Sequence, residues 1–213
     1  MNHKFKGPVI ELFLNGDPPK KNLYSKFLSK KIFAVDGSLN YLKKFKIPVD
    51  SIIGDFDSLL KKNISVKNTI INTYNQNYTD FEKALNIIYK KGFLNVNIWG
   101  GSGKEQDHFL GNLSIALKYK KKLSIIFYDK YHLYFFSDKK NTFYMKKNKK
   151  ISLFPFPKVV GLKTFGLKYP IKNESLEIGK KLGIRNKSIS NENNKIQINY
   201  KKGELLIFIE IER

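Results

Sequence analysis

Apolar residues in the first ~130 positions follow two alternating rhythms, short continuous runs closed by turn formers and longer segments with helical spacing. "KKIFAVDGS" (30–38) is a run closed by Asp-Gly, which predicts a strand and a turn. "LNYLKKFKI" (39–47) carries Leu39, Leu42 and Phe45 at helical spacing, with Pro48 as its stop. "VDSIIGDFDS" and "NTIINTY" read as two more strands. In "TDFEKALNIIYKKG" (79–92), Thr79 and Glu82 have capping-box spacing, Phe81, Ala84, Leu85 and Ile88 share a face, and Gly92 closes the helix. "NVNIWGGSG" is a strand entering a glycine-rich loop. "DHFLGNLSIALKYKK" is a helix with Leu110, Leu113 and Leu117 expected on one side, and "LSIIFYD" is a further strand.

Beyond about residue 130 the helical period disappears. "YHLYFFS", "NTFYMK", "KISLFPF", "LKTFGLKY", "KSISN", "KIQINY" and "ELLIFIEI" are short runs rich in β-branched and aromatic residues, separated by turns. The expected fold is α/β: a layered, mainly parallel α/β domain over 1–138, then an antiparallel β-sandwich domain over 139–213.

Composition narrows the class. A hydrophobic content of 41% with 14% aromatics describes a folded globule. No apolar run reaches the ~20 residues of a membrane span, the N-terminus lacks a leader's long apolar centre, and no cysteine is present. A soluble cytoplasmic protein is expected. The net charge of +22 would suit a nucleic-acid partner. Nearly all of it is lysine, however, spread over the whole length, with Arg185 and Arg213 the only arginines. Base readout and bidentate phosphate contacts favour arginine, so the charge is read as a solvated lysine-rich surface, with neither nucleic acid nor membrane as partner.

The scarce carboxylates are concentrated. Asp36 ends one predicted strand, Asp55 and Asp57 follow the next, Asp80 opens the capped helix, and Asp107 follows the glycine loop. Ligands of open α/β sheets bind beyond the carboxyl ends of the strands, so these five of nine aspartates fall on the ligand rim. In extended chain Asp55 and Asp57 point to one side about 7 Å apart. At that distance two charges repel by roughly 2 kcal/mol at an effective dielectric near 20, so a cation is expected among them. All-oxygen ligands favour Mg²⁺ held together with substrate phosphates. "GGSGKEQDH" is not a P-loop, because Ile98 and Glu105 stand where Gly and Ser or Thr are required. It remains a strand-to-helix turn whose N–H groups can cradle a phosphate, with Lys104 as a point charge. His108, at a helix start without a second histidine nearby, is read as a capping or packing residue.

Four separated motifs, "AVDGSLNYLKKFKIPVDSIIGDFDSL", "NQNYTDFEKAL", "GGSGKEQDHFLGNL" and "GLKYPIKNESLEIGKKLGIRN", resemble in order and spacing the thiamine pyrophosphokinases (thiamine diphosphokinases), over about residues 30 to 210. The resemblance implies a homodimer with each site between the nucleotide domain of one subunit and the thiamine surface of the other. It implies transfer of the β,γ-diphosphate of ATP to the hydroxyl of thiamine, with AMP released. Asp55, Asp57 and Asp80 would hold Mg²⁺, and Asp36 would sit near the metal or the nucleophile. Gly100, Gly101, Ser102, Gly103, Lys104, Asp107 and Asn112 would serve ATP. Gln76, Tyr169, Arg185 and Asn186 would serve thiamine, whose cationic thiazolium suits the aromatic face of Tyr169.

Three positions depart from the family pattern. Glu105 replaces an arginine and leaves Lys104 as the phosphate contact, Asn77 replaces an aspartate, and Arg185 replaces a small serine. These substitutions define one competing reading, an inactive relative that still binds thiamine. A second competitor is a basic nucleic-acid-binding module using the 12 tyrosines and 17 phenylalanines for stacking, which leaves the clustered acids unexplained.

Overall fold

A computed structural model describes residues 2–18, 30–54, 69–72, 77–189 and 195–211. The chain divides into two compact units, His3–Lys130 and Tyr131–Arg213.

The first unit is built on six parallel strands. These are β1 (Val9–Phe13), β2 (Lys31–Val35), β3 (Ser51–Gly54), β4 (Thr69–Asn72), β5 (Asn95–Trp99) and β6 (Ser124–Tyr128), in the order β4-β3-β2-β1-β5-β6. Strand β1, to which the sequence pattern assigned no element, lies between β2 and β5, with Leu12 opposite Phe33 and Ile98. Parallel strands buried on both faces read as unbroken apolar runs, and β1 interrupts its run with Glu11.

Helix α1 (Leu39–Lys44) covers one face, where Leu39 and Leu42 join Phe13, Ile32, Ala34, Ile52 and Trp99 in a core cluster. Helix α2 (Asp80–Lys90) covers β2 and β3 on the other face and sets Phe81 edge-on against Phe127 of β6, with ring centres 6.0 Å apart. The Thr79 hydroxyl accepts from the Glu82 N–H, satisfying a helix-start donor as the capping-box spacing anticipates, a cap worth about 1 kcal/mol. Helix α3 (Gln106–Tyr119) buries Leu113, Ile115, Ala116 and Tyr119. The expected Leu110–Leu113–Leu117 face is corrected here: Leu110 is 59% exposed, because the buried stripe begins one turn further along the helix.

In the second unit β7 (His132–Phe136), β8 (Lys140–Tyr144), β9 (Lys150–Phe165), β10 (Lys172–Glu177), β11 (Gly183–Lys187), β12 (Lys195–Asn199) and β13 (Lys202–Glu210) pair antiparallel. The two runs "KISLFPF" and "LKTFGLKY" belong largely to the single long strand β9. It pairs with β13 and β11 early, with β10 in its middle and with β12 at its end. One strand serves several neighbours, so its inward residues Ile151, Leu153, Val159 and Leu162 are fully buried.

Glu11 is 3% exposed, and its carboxylate accepts from the Trp99 indole at 2.7 Å and from the Asn97 amide at 3.1 Å. Burial pushes its pKa above the ordinary carboxylate value, and these hydrogen bonds oppose the shift. A raised folded-state pKa contributes stability that is complete below the ordinary value and is lost as pH rises through the raised one. Wild-type protein should therefore lose melting temperature relative to Glu11→Gln as pH rises above the ordinary carboxylate range. His3, hydrogen-bonded to Asn97 and shifted down by burial, contributes with the opposite sign in both proteins. Melting curves that stay parallel across this window would show that Glu11 is not the titrating group.

Candidate active site

Three chain segments leave the carboxyl edge of the parallel sheet and interlock. The exit from β1 runs parallel to the glycine loop after β5, through hydrogen bonds from Leu14 N to Trp99 O, Gly16 N to Gly100 O and Asp17 N to Ser102 O, each 2.8 Å. The Tyr41 hydroxyl of α1 pins the same exit by donating to Leu14 O at 2.7 Å. The approach is possible only without side chains. A Cβ on Gly16 would stand 2.2 Å from Ser102 O and 2.4 Å from Gly100 O. Gly100 has φ +66°, and a Cβ there would stand 2.4 Å from Leu14 O.

The interlocked loops form one wall of a cleft of about 560 Å³. Gly37, from the turn after β2, and the first residues of α2 and α3 complete it. Of the residues expected to serve ATP, Gly100, Gly101, Gly103, Lys104, Asp107 and Asn112 all line this cleft, and Ser102 supports it through its carbonyl. Asn112 acts on the loop itself, donating to Gly101 O at 3.0 Å. Asp107 accepts from the His108 N–H at 2.9 Å. Lys104, in a left-handed conformation at φ +57°, donates from Nζ to Asn15 Oδ1 at 3.0 Å. His108 Nε2 lies 3.7 Å from Glu105, both side chains being well exposed.

Asp80 lines the cleft from the start of α2, one carboxylate oxygen 3.0 Å from Lys83 Nζ, whose side chain is 9% exposed. Asp36 follows β2 and is placed by its backbone alone. Asp55 and Asp57, which follow Gly54 in the sequence, and Gln76 lie outside the described residues. Among the described residues no group of three or more His, Asp or Glu side chains could hold a metal. The donors the cleft does offer, carboxylate, amide and backbone oxygens without thiolates, fit a hard cation that shares its shell with water and phosphate.

In the β unit the structure joins Tyr169 and Asn186 and separates Arg185 from them. The Asn186 side chain is hydrogen-bonded to both backbone groups of Tyr169. The Tyr169 ring is 59% exposed, with Lys168 Nζ 5.4 Å from its centre. Arg185, at φ +59°, lines another cavity of about 450 Å³ with His132, Lys150, Phe154 and Phe208. Tyr169 and Asn186 are not part of that cavity's lining.

Sequence reasoning missed the segment Asn15–Asp17. Its signal is the one used successfully for "KKIFAVDGS": the apolar run "VIELFL" closes on Asn-Gly-Asp.

A glycine-lined cleft at the carboxyl edge of an open parallel sheet, in a chain that also carries a separate antiparallel β unit, defines a class of α/β phosphate-handling proteins with an appended β domain. Comparison with known proteins specifies which. Residues 24–127 match the thiamin pyrophosphokinase catalytic domain, and residues 139–204 match the thiamin pyrophosphokinase vitamin B1 binding domain. Thiamin pyrophosphokinase 1 of Caenorhabditis elegans is 30% identical over 94% of this chain and 88% of that protein. Thiamine pyrophosphokinase of Bacillus subtilis is 31% identical over 72% of this chain and 75% of its own length. The solved Bacillus subtilis structure shares the fold with TM-score 0.82 at 22% identity, over 96% of this chain and all of that one. The yeast structure gives 0.84 at 19%, over 99% and 88%. The chain belongs to the thiamin pyrophosphokinase family, and it is an enzyme of that kind.

Gly16→Ala should lower unfolding stability by about 2 kcal/mol or more, since the new methyl meets two backbone carbonyls that cannot swing aside. Urea denaturation followed by far-UV circular dichroism measures this. An unchanged midpoint would mean that the two loops are not interlocked in solution.

Proposed function

We propose that the chain catalyses transfer of the β,γ-diphosphate of ATP to the hydroxyl of thiamine, giving thiamine diphosphate and AMP. The reading is supported by family membership. The observation that carries it is that the glycine loop, Lys104 and the helix-start acid Asp80 line one cleft of about 560 Å³. In this reaction the thiamine hydroxyl oxygen bonds to the β-phosphorus as the bond from that phosphorus to the α–β bridging oxygen breaks. AMP departs with the bridging oxygen, and the hydroxyl proton passes to a rim carboxylate or to water. Such transfers depend on positioning and charge neutralisation rather than on a strong base. Backbone N–H groups of the glycine loop and the Lys104 ammonium would receive phosphate oxygens. Asn15 would hold that ammonium at the cleft. Asp80, with Asp55 and Asp57, would hold Mg²⁺, which when bound neutralises the polyphosphate. Asp36 would sit close by.

In the β unit Tyr169 offers an aromatic face to the thiazolium, and Gln76 is assigned to thiamine as well. Arg185 keeps its assignment to the thiamine side through the cavity it lines. A homodimer that shares the site between subunits agrees with the large apolar side chains left exposed on the β unit, among them Tyr144, Phe165 and Ile184. Among the described residues no helix is long and apolar enough to cross a membrane.

Incubation with Mg-ATP should release AMP only when thiamine is present, with thiamine diphosphate formed alongside. Asp80→Asn should reduce the rate by roughly 100-fold or more. AMP released without thiamine, or thiamine bound with no AMP formed, would overturn the reading, the latter in favour of an inactive thiamine-binding relative. Asn15→Ala should raise the KM for ATP roughly 2- to 10-fold and leave that for thiamine unchanged, as expected for one lost hydrogen bond at Lys104. An equal rise in both would deny Asn15 a nucleotide-side role.

A further inference from the structure

We propose that Asn186 is a positioning residue that acts through Tyr169. The proposal rests on the thiamine reading above for its consequence, and on geometry alone for its mechanism.

The Asn186 side chain is 6% exposed. Its Oδ1 accepts from Tyr169 N at 3.1 Å and from Lys187 N at 2.9 Å, and its Nδ2 donates to Tyr169 O at 2.6 Å. Two N–H donors on one side and a carbonyl on the other fix the amide orientation without ambiguity. An amide oxygen has two lone pairs, and both are taken. A buried oxygen with no acceptor capacity left cannot also recognise a ligand.

These contacts do the work of a strand rung. Segments 166–169 and 186–189 run antiparallel, with Lys168 N donating to Lys187 O at 2.8 Å and Ile189 N to Gly166 O at 3.0 Å, and with a bridge between Leu167 and Ser188. Opposite Tyr169 the Asn186 amide reaches across and satisfies the N–H and the C=O of that one residue together. On the other edge of this segment the register between β9 and β11 slips between Gly183 and Asn186. Arg185 sits inside that slip in the left-handed region, and its N–H goes to Ser152 Oγ at 3.0 Å instead of to a backbone carbonyl. Bulges of this kind re-aim the side chains that follow them. Here the re-aimed side chain is Asn186, turned inward toward the Tyr169 backbone.

The result is an exposed aromatic ring on a backbone held at both polar groups. Ordering a loop residue costs backbone entropy, and a platform ordered in advance spares binding that cost. Asn186 therefore contributes to thiamine affinity through the rigidity of Tyr169.

The test combines amide exchange with kinetics on the full-length protein. Asn186→Ala, and Asn186→Leu as a second variant of similar size with no hydrogen-bonding atom, should abolish hydrogen-exchange protection of the Tyr169 N–H or weaken it severely, while protection in β9 and β13 persists. Both should raise the KM for thiamine roughly 5- to 30-fold with the KM for ATP unchanged. In a Tyr169→Ala background the same substitutions should add nothing to the thiamine KM. Unchanged Tyr169 protection would overturn the mechanism. A full additional loss in the Tyr169→Ala background would show direct contact with thiamine and overturn it equally. A wild-type protein that forms no thiamine diphosphate would refute the function proposed above, and the exchange result would still decide whether Asn186 holds Tyr169.

Discussion

The close passage of the β1 exit over the glycine loop is the constraint on which the α/β unit depends. Three backbone hydrogen bonds hold it, and Gly16 and Gly100 make it sterically possible. Because backbone meets backbone there, the loop after β5 is braced from outside and its shape does not rest on its own turn propensity. The Asn112 amide braces it again from α3. The fixing of this loop comes from a strand far away in sequence.

The β unit solves a related problem by different means. An exposed Tyr169 ring is supported by a buried side-chain amide, which becomes available because a neighbouring residue accepts an unfavourable backbone conformation at φ +59°. Rigid scaffold elements carry both solutions: the parallel sheet in one unit, the long strand β9 in the other. Function-bearing groups sit on the turns these elements hold in place.

The use of charge differs between the units. Glu174, Glu177 and Glu210 of the β unit pair with Lys181, Lys158 and Lys150, and their lysine partners hold their carboxyls below the ordinary value. Exposed pairs of this kind add little stability. Glu11 of the α/β unit is instead buried among Trp99 and Asn97, and Tyr128, stacked on Trp99 at 4.6 Å, has its own pKa pushed up to about 12 by burial and by Glu11. In a chain of net charge +22 the acids are few. Those in the cleft, Asp80 and Asp107 among them, stand out against that background.

Local signals determined most of the elements. Strand–turn patterns, the Thr79 cap, Gly92 and the loss of helical period near residue 130 were legible because each depends on residues adjacent in the chain. The glycine loop, Lys104 and Asp80 were legible as one rim for the same reason, and four ordered motifs tied the chain to a family. Strand β1 was not legible, because a glutamate in its middle contradicts the apolar run expected of a central parallel strand. Only the partners Trp99 and Asn97, brought by β5, make that glutamate tolerable. The placing of Asn15 and Gly16 against the glycine loop, the extent of β9, and the separation of Asn186 from Arg185 were likewise decided by tertiary structure. Each of them turns on backbone groups that meet across long sequence separations, and no local pattern records such a meeting.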